Sequence, residues 1–319
     1  MRLFLAGGIT GKLFPYWRTV AKLMIGKPIA QAQEEGMKLF LAGGEGRHWL
    51  QEGLTKEDDM KLSLAGTMCG NQSRAIQYLG GADLERNRLL TEHRPYILES
   101  FFYADQDTER LIPYFGDFLL DSGAFTFMQG TKGAVNWEEY IERYADFVNR
   151  NKVEKFFELD VDSVVGFEKV LQFRAKLERL TGRQPIPVWH GNRGTKQFEI
   201  DSKEYPYVAI GGLVTGKGEY ARRLWGAFPW FINTAHKNGA KIHALGFTSL
   251  DGITKFHFDS VDSTAWTTGN RFGYIYHFDG KTMRKHDAPA GHRINDARVA
   301  ALINYTEWIK FQRYADTHL

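Results

Sequence analysis

Phe118-Leu-Leu-Asp121-Ser-Gly-Ala-Phe125 sets the pattern from which the rest of this chain is read. An apolar run reads as a buried strand, and a carboxylate follows it directly. Small residues then let the chain turn and let a ligand approach closely. Phe258-Asp259-Ser-Val-Asp262-Ser-Thr264 repeats the arrangement. A carboxylate at such a point does little for packing and is well placed for chemistry.

Working outward, strand-like runs recur at Lys61-Leu-Ser-Leu-Ala65, Tyr96 to Tyr103, Phe118-Leu-Leu120, Phe156-Phe-Glu-Leu159, Ile186-Pro-Val-Trp189, Tyr207-Val-Ala-Ile210, Ile242-His-Ala-Leu245 and His257 to Val261. Between several of them lie segments of helical period, Trp137 to Asn151, Phe167 to Thr181 and Glu219 to Asn238. Asn136 is placed as an N-cap, and Gly182 and Gly239 as C-terminal stops. Eight strands alternating with helices predict an α/β fold, a (β/α)8 TIM-like barrel whose active site lies at the C-terminal strand ends.

Met1-Arg-Leu-Phe-Leu-Ala-Gly-Gly8, Met37-Lys-Leu-Phe-Leu-Ala-Gly-Gly44 and Met60-Lys-Leu-Ser-Leu-Ala-Gly66 share one pattern at uneven spacing, which suits strands with similar jobs better than a solenoid. Only one of them can open the barrel. Residues 1–59 are therefore expected as an N-terminal elaboration packed on the barrel, and residues 60–319 as the barrel with its closing C-terminal helix. Asn270 to Phe278 alternates like a strand, and Asn295 to Tyr314 reads as the amphipathic closing helix.

With 319 residues, 43% hydrophobic and 14% aromatic, the chain can bury one large core or two smaller ones. A net charge of +3 permits a polyanionic partner without demanding one. The single cysteine, Cys69, excludes an intrachain disulfide framework and a cysteine-cluster zinc site. No stretch approaches the roughly 18 apolar residues of a membrane span, and the start is too short in apolar character for a secretory signal. The expectation is a cytoplasmic protein without a membrane partner.

The strand ends carry acids at Asp105, Asp121, Asp160, Asp162 and Asp262, a histidine at His190, and glycines at Gly211, Gly212 and Gly246. Any one acid after a strand is more simply a cap for the next helix. So many together, with glycines giving backbone access, favour a site.

These ends resemble the tRNA-guanine transglycosylase superfamily, and more closely its phage-type 7-deazaguanine DNA transglycosylases. Asp121-Ser-Gly-Ala-Phe125 looks like the Asp-Ser-Gly-Gly-Phe motif, Ala209-Ile-Gly-Gly-Leu213 is similar to the Gly-Gly-Leu base-recognition loop, and Asp259-Ser-Val-Asp262 matches the paired acids of the last strand. The resemblance covers about residues 96 to 273.

The resemblance implies that Asp262 is a nucleophile toward C1′ of a nucleotide sugar and that Asp121 is the acid and base. A carboxylate suits the first role because it forms a reversible ester at a cationic centre, as in retaining glycosidases. By the same resemblance Asp160, with Asp162 as the competing choice, accepts hydrogen bonds from the edge of a guanine-like ring. The backbone of Gly212 and Leu213 addresses the base, Phe125 and Leu245 clamp its faces, and Arg271 contacts a neighbouring nucleotide. Where the tRNA enzymes carry Gln before Gly, this chain has His190.

Two further departures point to the polymer. The family's zinc cysteines have no counterpart after Asp262, so no metal is expected, and Thr268 stands in place of the first of two arginines that read tRNA. DNA is the expected partner, with its guanine flipped out or single-stranded, together with a free 7-deazaguanine base such as preQ0 or a derivative. No cofactor is needed. In a phage the exchange would protect DNA from restriction. Arg193, Lys196, Lys217, Arg222, Arg223 and Trp266 are placed as residues that hold the strand. The alternatives are the same exchange on tRNA, a two-carboxylate glycoside hydrolase and a non-catalytic nucleic-acid-binding subunit.

Overall fold

The computed structural model describes residues 2–3, 38–39, 60–65, 94–123, 126–127, 135–212, 219–247, 249–287 and 297–319. Strands β1 (Arg2–Leu3) and β2 (Lys38–Leu39) pair in parallel as a small sheet of their own. The third copy of the repeated pattern opens the main sheet as β3 (Lys61–Ala65). It is followed by β4 (Tyr96–Ser100), β5 (Asp117–Asp121), β6 (Lys155–Phe156), β7 (Val188–Trp189), β8 (Tyr207–Ile210), β9 (Lys241–Ala244) and β10 (Ser260–Ser263). These eight strands are parallel, and β10 returns to pair with β3, placing Asp262 opposite Ser63. At the seam, Phe157 and Ile186 form a parallel bridge, and Ile186 N–H donates to Phe156 O at 2.8 Å. The architecture is the expected TIM-like (β/α)8 barrel.

The two-residue period of a strand sorts its side chains by face. Leu62, Leu64, Ile97, Val208, Ile210, Ile242, Ala244 and Val261 join one buried cluster with the helices. Ala65, Leu98, Leu119, Phe157, Val188 and Ala209 form a separate cluster from the alternate positions, the packed interior of the barrel. Asp121, His190, Gly211, Leu245 and Asp262 continue that second set toward the C-terminal ends.

The helices are α1 (Gln106–Leu111), α2 (Trp137–Arg150), α3 (Asp162–Val165), α4 (Phe167–Thr181), α5 (Gly194–Glu204), α6 (Glu219–Lys237), α7 (Leu250–Lys255), α8 (Ala265–Phe272) and α9 (Ala297–His318). Asn136 caps α2 by accepting the Glu139 N–H at 3.3 Å, and Gly182 ends α4 in the left-handed conformation. From α2, the Tyr144 hydroxyl shares its one hydrogen between Leu120 O at 3.0 Å and Phe157 O at 2.9 Å, while Tyr140 donates to Ser122 O at 2.6 Å. Two hydroxyls of one helix thus fix the end of β5.

The alternation over residues 270–278 proves to be two elements. Residues 270–272 finish α8, Gly273 breaks the chain at φ 76°, and β11 (Tyr274–Phe278) pairs antiparallel with β12 (Met283–Asp287). The closing helix α9 locks onto the barrel through Gln312, whose amide donates to Leu62 O and Tyr96 O and accepts Tyr96 N–H. Among the described residues no helix is long and apolar enough to cross a membrane.

Candidate active site

Asp121 is the last residue of β5 and Asp262 the third of β10, so both carboxylates stand on strands rather than on the loops beyond them. Strand backbone holds a side chain more tightly than loop backbone, which suits a group that must meet a reacting atom. Asp160 follows β6, His190 follows β7, Gly211 and Gly212 follow β8, and Leu245 and Gly246 follow β9. All open on the C-terminal mouth.

Asp121 Oδ2 accepts the Gly123 N–H at 3.0 Å. Gly123 has φ +81°, and a Cβ there would lie 2.7 Å from Phe102 Cβ and 3.0 Å from Tyr140 Oη. The glycine of Asp121-Ser-Gly is therefore required twice, by conformation and by space. Gly123→Ala is expected to cost at least about 1–3 kcal/mol, from the left-handed backbone alone, read as a fall in the thermal midpoint. Burial raises the Asp121 carboxyl to about 7, and the nearby charges of Asp160 and Asp262 add to the rise. The charges of Asp160 and Asp262 thus both reach Asp121.

Asp160 is held from two sides. Ser122 Oγ donates to its Oδ1 at 3.3 Å, and His190 Nε2 meets its Oδ2 at 3.0 Å. The His190 ring lies against the glycines, since a Cβ on Gly211 would come within 2.5 Å of its Cε1. Gly212, at φ +78°, continues this strip. The pair Gly211-Gly212 is thus the space that the imidazole occupies.

Asp162, the competing choice for base recognition, is committed elsewhere. Its two oxygens take a bidentate pair of bonds from Arg193, which also donates to Glu158 Oε1 at 2.6 Å. Arg174 bridges Glu158 and Asp201, both at 2.7 Å. This buried network takes up the competing acid and corrects the placing of Arg193. Asp162 leaves the mouth to Asp160, and Arg193 is no strand contact because its side chain is 0% exposed. Trp266 is corrected in the same way, being 0% exposed with its Nε1–H donating to Ala65 O at 2.8 Å. Lys196 is exposed. Asp105 turns out to be the helix cap of the simpler reading, accepting the Thr108 N–H at 2.9 Å. Asp259 binds Ile242 N–H and His236 just ahead of β10, at the end opposite Asp262.

Asp262 is 5% exposed, and its Oδ1 accepts the Gly246 N–H at 2.5 Å and meets His243 Nε2 at 3.2 Å. His243 was not anticipated as a site residue. The available signal was its place in Ile242-His-Ala-Leu245, on the same face as Leu245 and two residues before it. Leu245 packs against the interior cluster. Phe125, Leu213 and Lys217 lie outside the described residues, as do the side chains of Arg222, Arg223 and Arg271. Among the described residues no group of three or more His, Cys, Asp or Glu side chains is arranged to hold a metal ion.

No family model matches this sequence, and no curated protein does. Among solved structures it is similar to an aldolase designated QR15, at 9% identity and a TM-score of 0.40, covering 66% of this chain and 90% of that one. It is also similar to the carboxyl transferase domain of Rhizobium etli pyruvate carboxylase with pyruvate, at 11% identity and a TM-score of 0.42 over 85% of this chain. The chain spans 50% of the length of that second structure. Likeness at these values assigns no chemistry.

Proposed function

We propose that this protein is an enzyme of base exchange, which removes guanine from DNA through a covalent Asp262–sugar ester and inserts a 7-deazaguanine base. The observation that carries the reading is that three acids at one mouth have different partners and surroundings. Asp262 has both of its described bonds on Oδ1, leaving Oδ2 without a bond among the described residues. Asp121 is the acid whose proton is held to about 7. Asp160 is braced by Ser122 and His190 to accept from the N1–H and exocyclic amine of a guanine edge.

The chemistry balances with these groups alone. Asp262 Oδ2 forms a bond to C1′ as the bond from C1′ to N9 of guanine breaks, and Asp121 gives its proton to the departing base. The incoming base then gives its N9 proton to the Asp121 carboxylate, N9 bonds to C1′, and Asp262 leaves as the carboxylate. One glycosidic bond replaces another, so no further cofactor enters. The choice of DNA over tRNA rests on the sequence, through Thr268 and the lack of cysteines beyond Asp262.

The test is release of labelled guanine from single- and double-stranded DNA with 7-deazaguanine bases added, beside unmodified tRNA. Release from DNA that requires the added base supports the reading. Release from tRNA alone moves the same chemistry to the other polymer, and release into water without an added base makes the protein a hydrolase.

A pH dependence follows from Asp121. Its carboxyl is raised above the usual 3.8 to about 7, so the proton needed by departing guanine is present below that point and lost above it. Single-turnover guanine release is expected to fall about tenfold per pH unit above ~7, and Asp121→Asn to remove that inflection with most of the rate. The same shift has a sign for stability. Ionising a buried acid in the folded state costs stability from the usual carboxylate range upward, in full above ~7. Asp121→Asn should therefore raise the thermal midpoint at pH 8 relative to its effect at pH 4.

A further inference from the structure

Behind Asp262 a column of polar groups runs among the apolar side chains of the barrel interior. Tyr207 begins β8 and Ser260 begins β10, and their hydroxyls are hydrogen-bonded. Ser260 is the register partner of His243 on β9, and its Oγ meets His243 Nδ1 at 2.5 Å. His243 Nε2 then meets Asp262 Oδ1 at 3.2 Å. Ser260 and Asp262 are two residues apart on β10, so one strand face carries both ends of the histidine's contacts. The imidazole is 0% exposed, and its ring centre lies 5.3 Å from that of Phe157.

The hydrogens in this column close in one direction. An ionised Asp262 accepts only, so Nε2 is the donor to it, and a singly protonated ring then presents Nδ1 as an acceptor. Ser260 must give its single hydrogen to Nδ1, and Tyr207 must give its own to Ser260 Oγ. The reverse order would leave the Tyr207 hydrogen with no acceptor among the described residues. A buried polar column of this kind is costly unless every member is satisfied, and this one is satisfied only as a unit.

We propose that His243, oriented by Ser260 and Tyr207, is a positioning residue that pins Oδ1 of Asp262 and so presents Oδ2 to the reacting carbon. The proposal rests on the base-exchange reading. Two donors on one oxygen, His243 Nε2–H and Gly246 N–H, fix the rotation of the carboxylate about its own axis. With that rotation fixed, the attacking oxygen meets C1′ from one direction, and the same donors stabilise the carboxylate as it leaves in the second half of the exchange.

The experiment uses the full chain and two readouts. In the exchange assay, His243→Leu should lower kcat on the order of 100-fold with little change in KM for the incoming base. His243→Gln, whose amide can still donate near the Nε2 position, should recover a substantial part of the loss. Ser260→Ala and Tyr207→Phe should each give smaller losses in the same parameter. A wild-type kcat in His243→Leu, a loss carried by KM, or no difference between Gln and Leu would overturn the proposal.

The second readout is the ring-nitrogen NMR signature of His243 in the wild-type protein and in Ser260→Ala, which needs no activity. A fixed Nε2–H form that loosens in Ser260→Ala supports the positioning contact even in a protein that exchanges no base, in which case it is the base-exchange reading that fails. A fixed Nδ1–H form overturns the proposal whatever the activity.

Discussion

Asp262→Asn is expected to stop exchange, lowering guanine release by at least about 10⁴-fold, a typical scale for removal of a nucleophile. The substitution is chosen because it spares everything else the carboxylate does. An amide oxygen in the place of Oδ1 still accepts from Gly246 N–H and from His243 Nε2, the two bonds described for Asp262. Shape and burial are unchanged, so the thermal midpoint should stay close to that of the wild type. What disappears is the anionic second oxygen, and with it the ester. Trapping follows the same logic: wild-type protein incubated with guanine-containing DNA should yield a protein–DNA adduct that Asp262→Asn does not. DNA binding should survive in the variant. A protein that only bound nucleic acid would show no difference between the two, since such a protein has no need of a nucleophile. Full activity in Asp262→Asn would overturn the covalent mechanism outright.

The strands were legible because each is a short apolar run with a break behind it, and the eight runs became eight barrel strands. Asp121 and Asp262 were legible for a related reason: an acid in a strand breaks the apolar pattern in a way that packing does not explain. His243 broke the same pattern and was passed over, because one histidine inside an apolar run also fits an ordinary core residue. What distinguishes it is contact with Ser260 and Asp262, and those are set by strand register across the barrel, which sequence does not display. The preference for Asp160 over Asp162 rested on motif register alone, for the same physical reason. Both alternate with Glu158 along one segment, and only the approach of Arg193, 31 residues from Asp162, decides which acid is consumed by an ion pair. Trp266 misled in the opposite sense. An aromatic residue just past Asp262 suits a stacking surface, yet its indole N–H found Ala65 O and its ring Tyr305.

Arg193→Met carries the largest expected cost to folding, about 3–5 kcal/mol, the usual result of breaking a buried ion pair from one side. Its guanidinium serves Glu158 and Asp162, whose side chains are 0% and 4% exposed. Glu158 would retain Arg174, but Asp162, whose carboxyl burial already holds above its usual value, would lose the bidentate contact that opposes that rise. Lysine is a poor substitute, because a single ammonium cannot reproduce a fork that reaches two carboxylates at once. The pH dependence has a definite sign. Burial pushes the Glu158 carboxyl up, but Arg193 and Arg174 outweigh it and hold the group below its usual 4.5. Stability from such a group is present above the usual carboxylate value and lost as pH falls through the lower, folded one. The deficit of Arg193→Met should therefore be greatest near neutral pH and shrink as the medium is acidified and the stranded acids take up protons. Urea unfolding of both proteins across that range measures it, and a deficit that stays constant with pH would show that the side chain acts by packing alone. The consequence reaches the site, because Glu158 and Asp162 flank Asp160 in the chain. Loosening both anchors frees the acid assigned to the guanine edge, so a partly folded Arg193→Met sample should lose base affinity before it loses Asp262 chemistry.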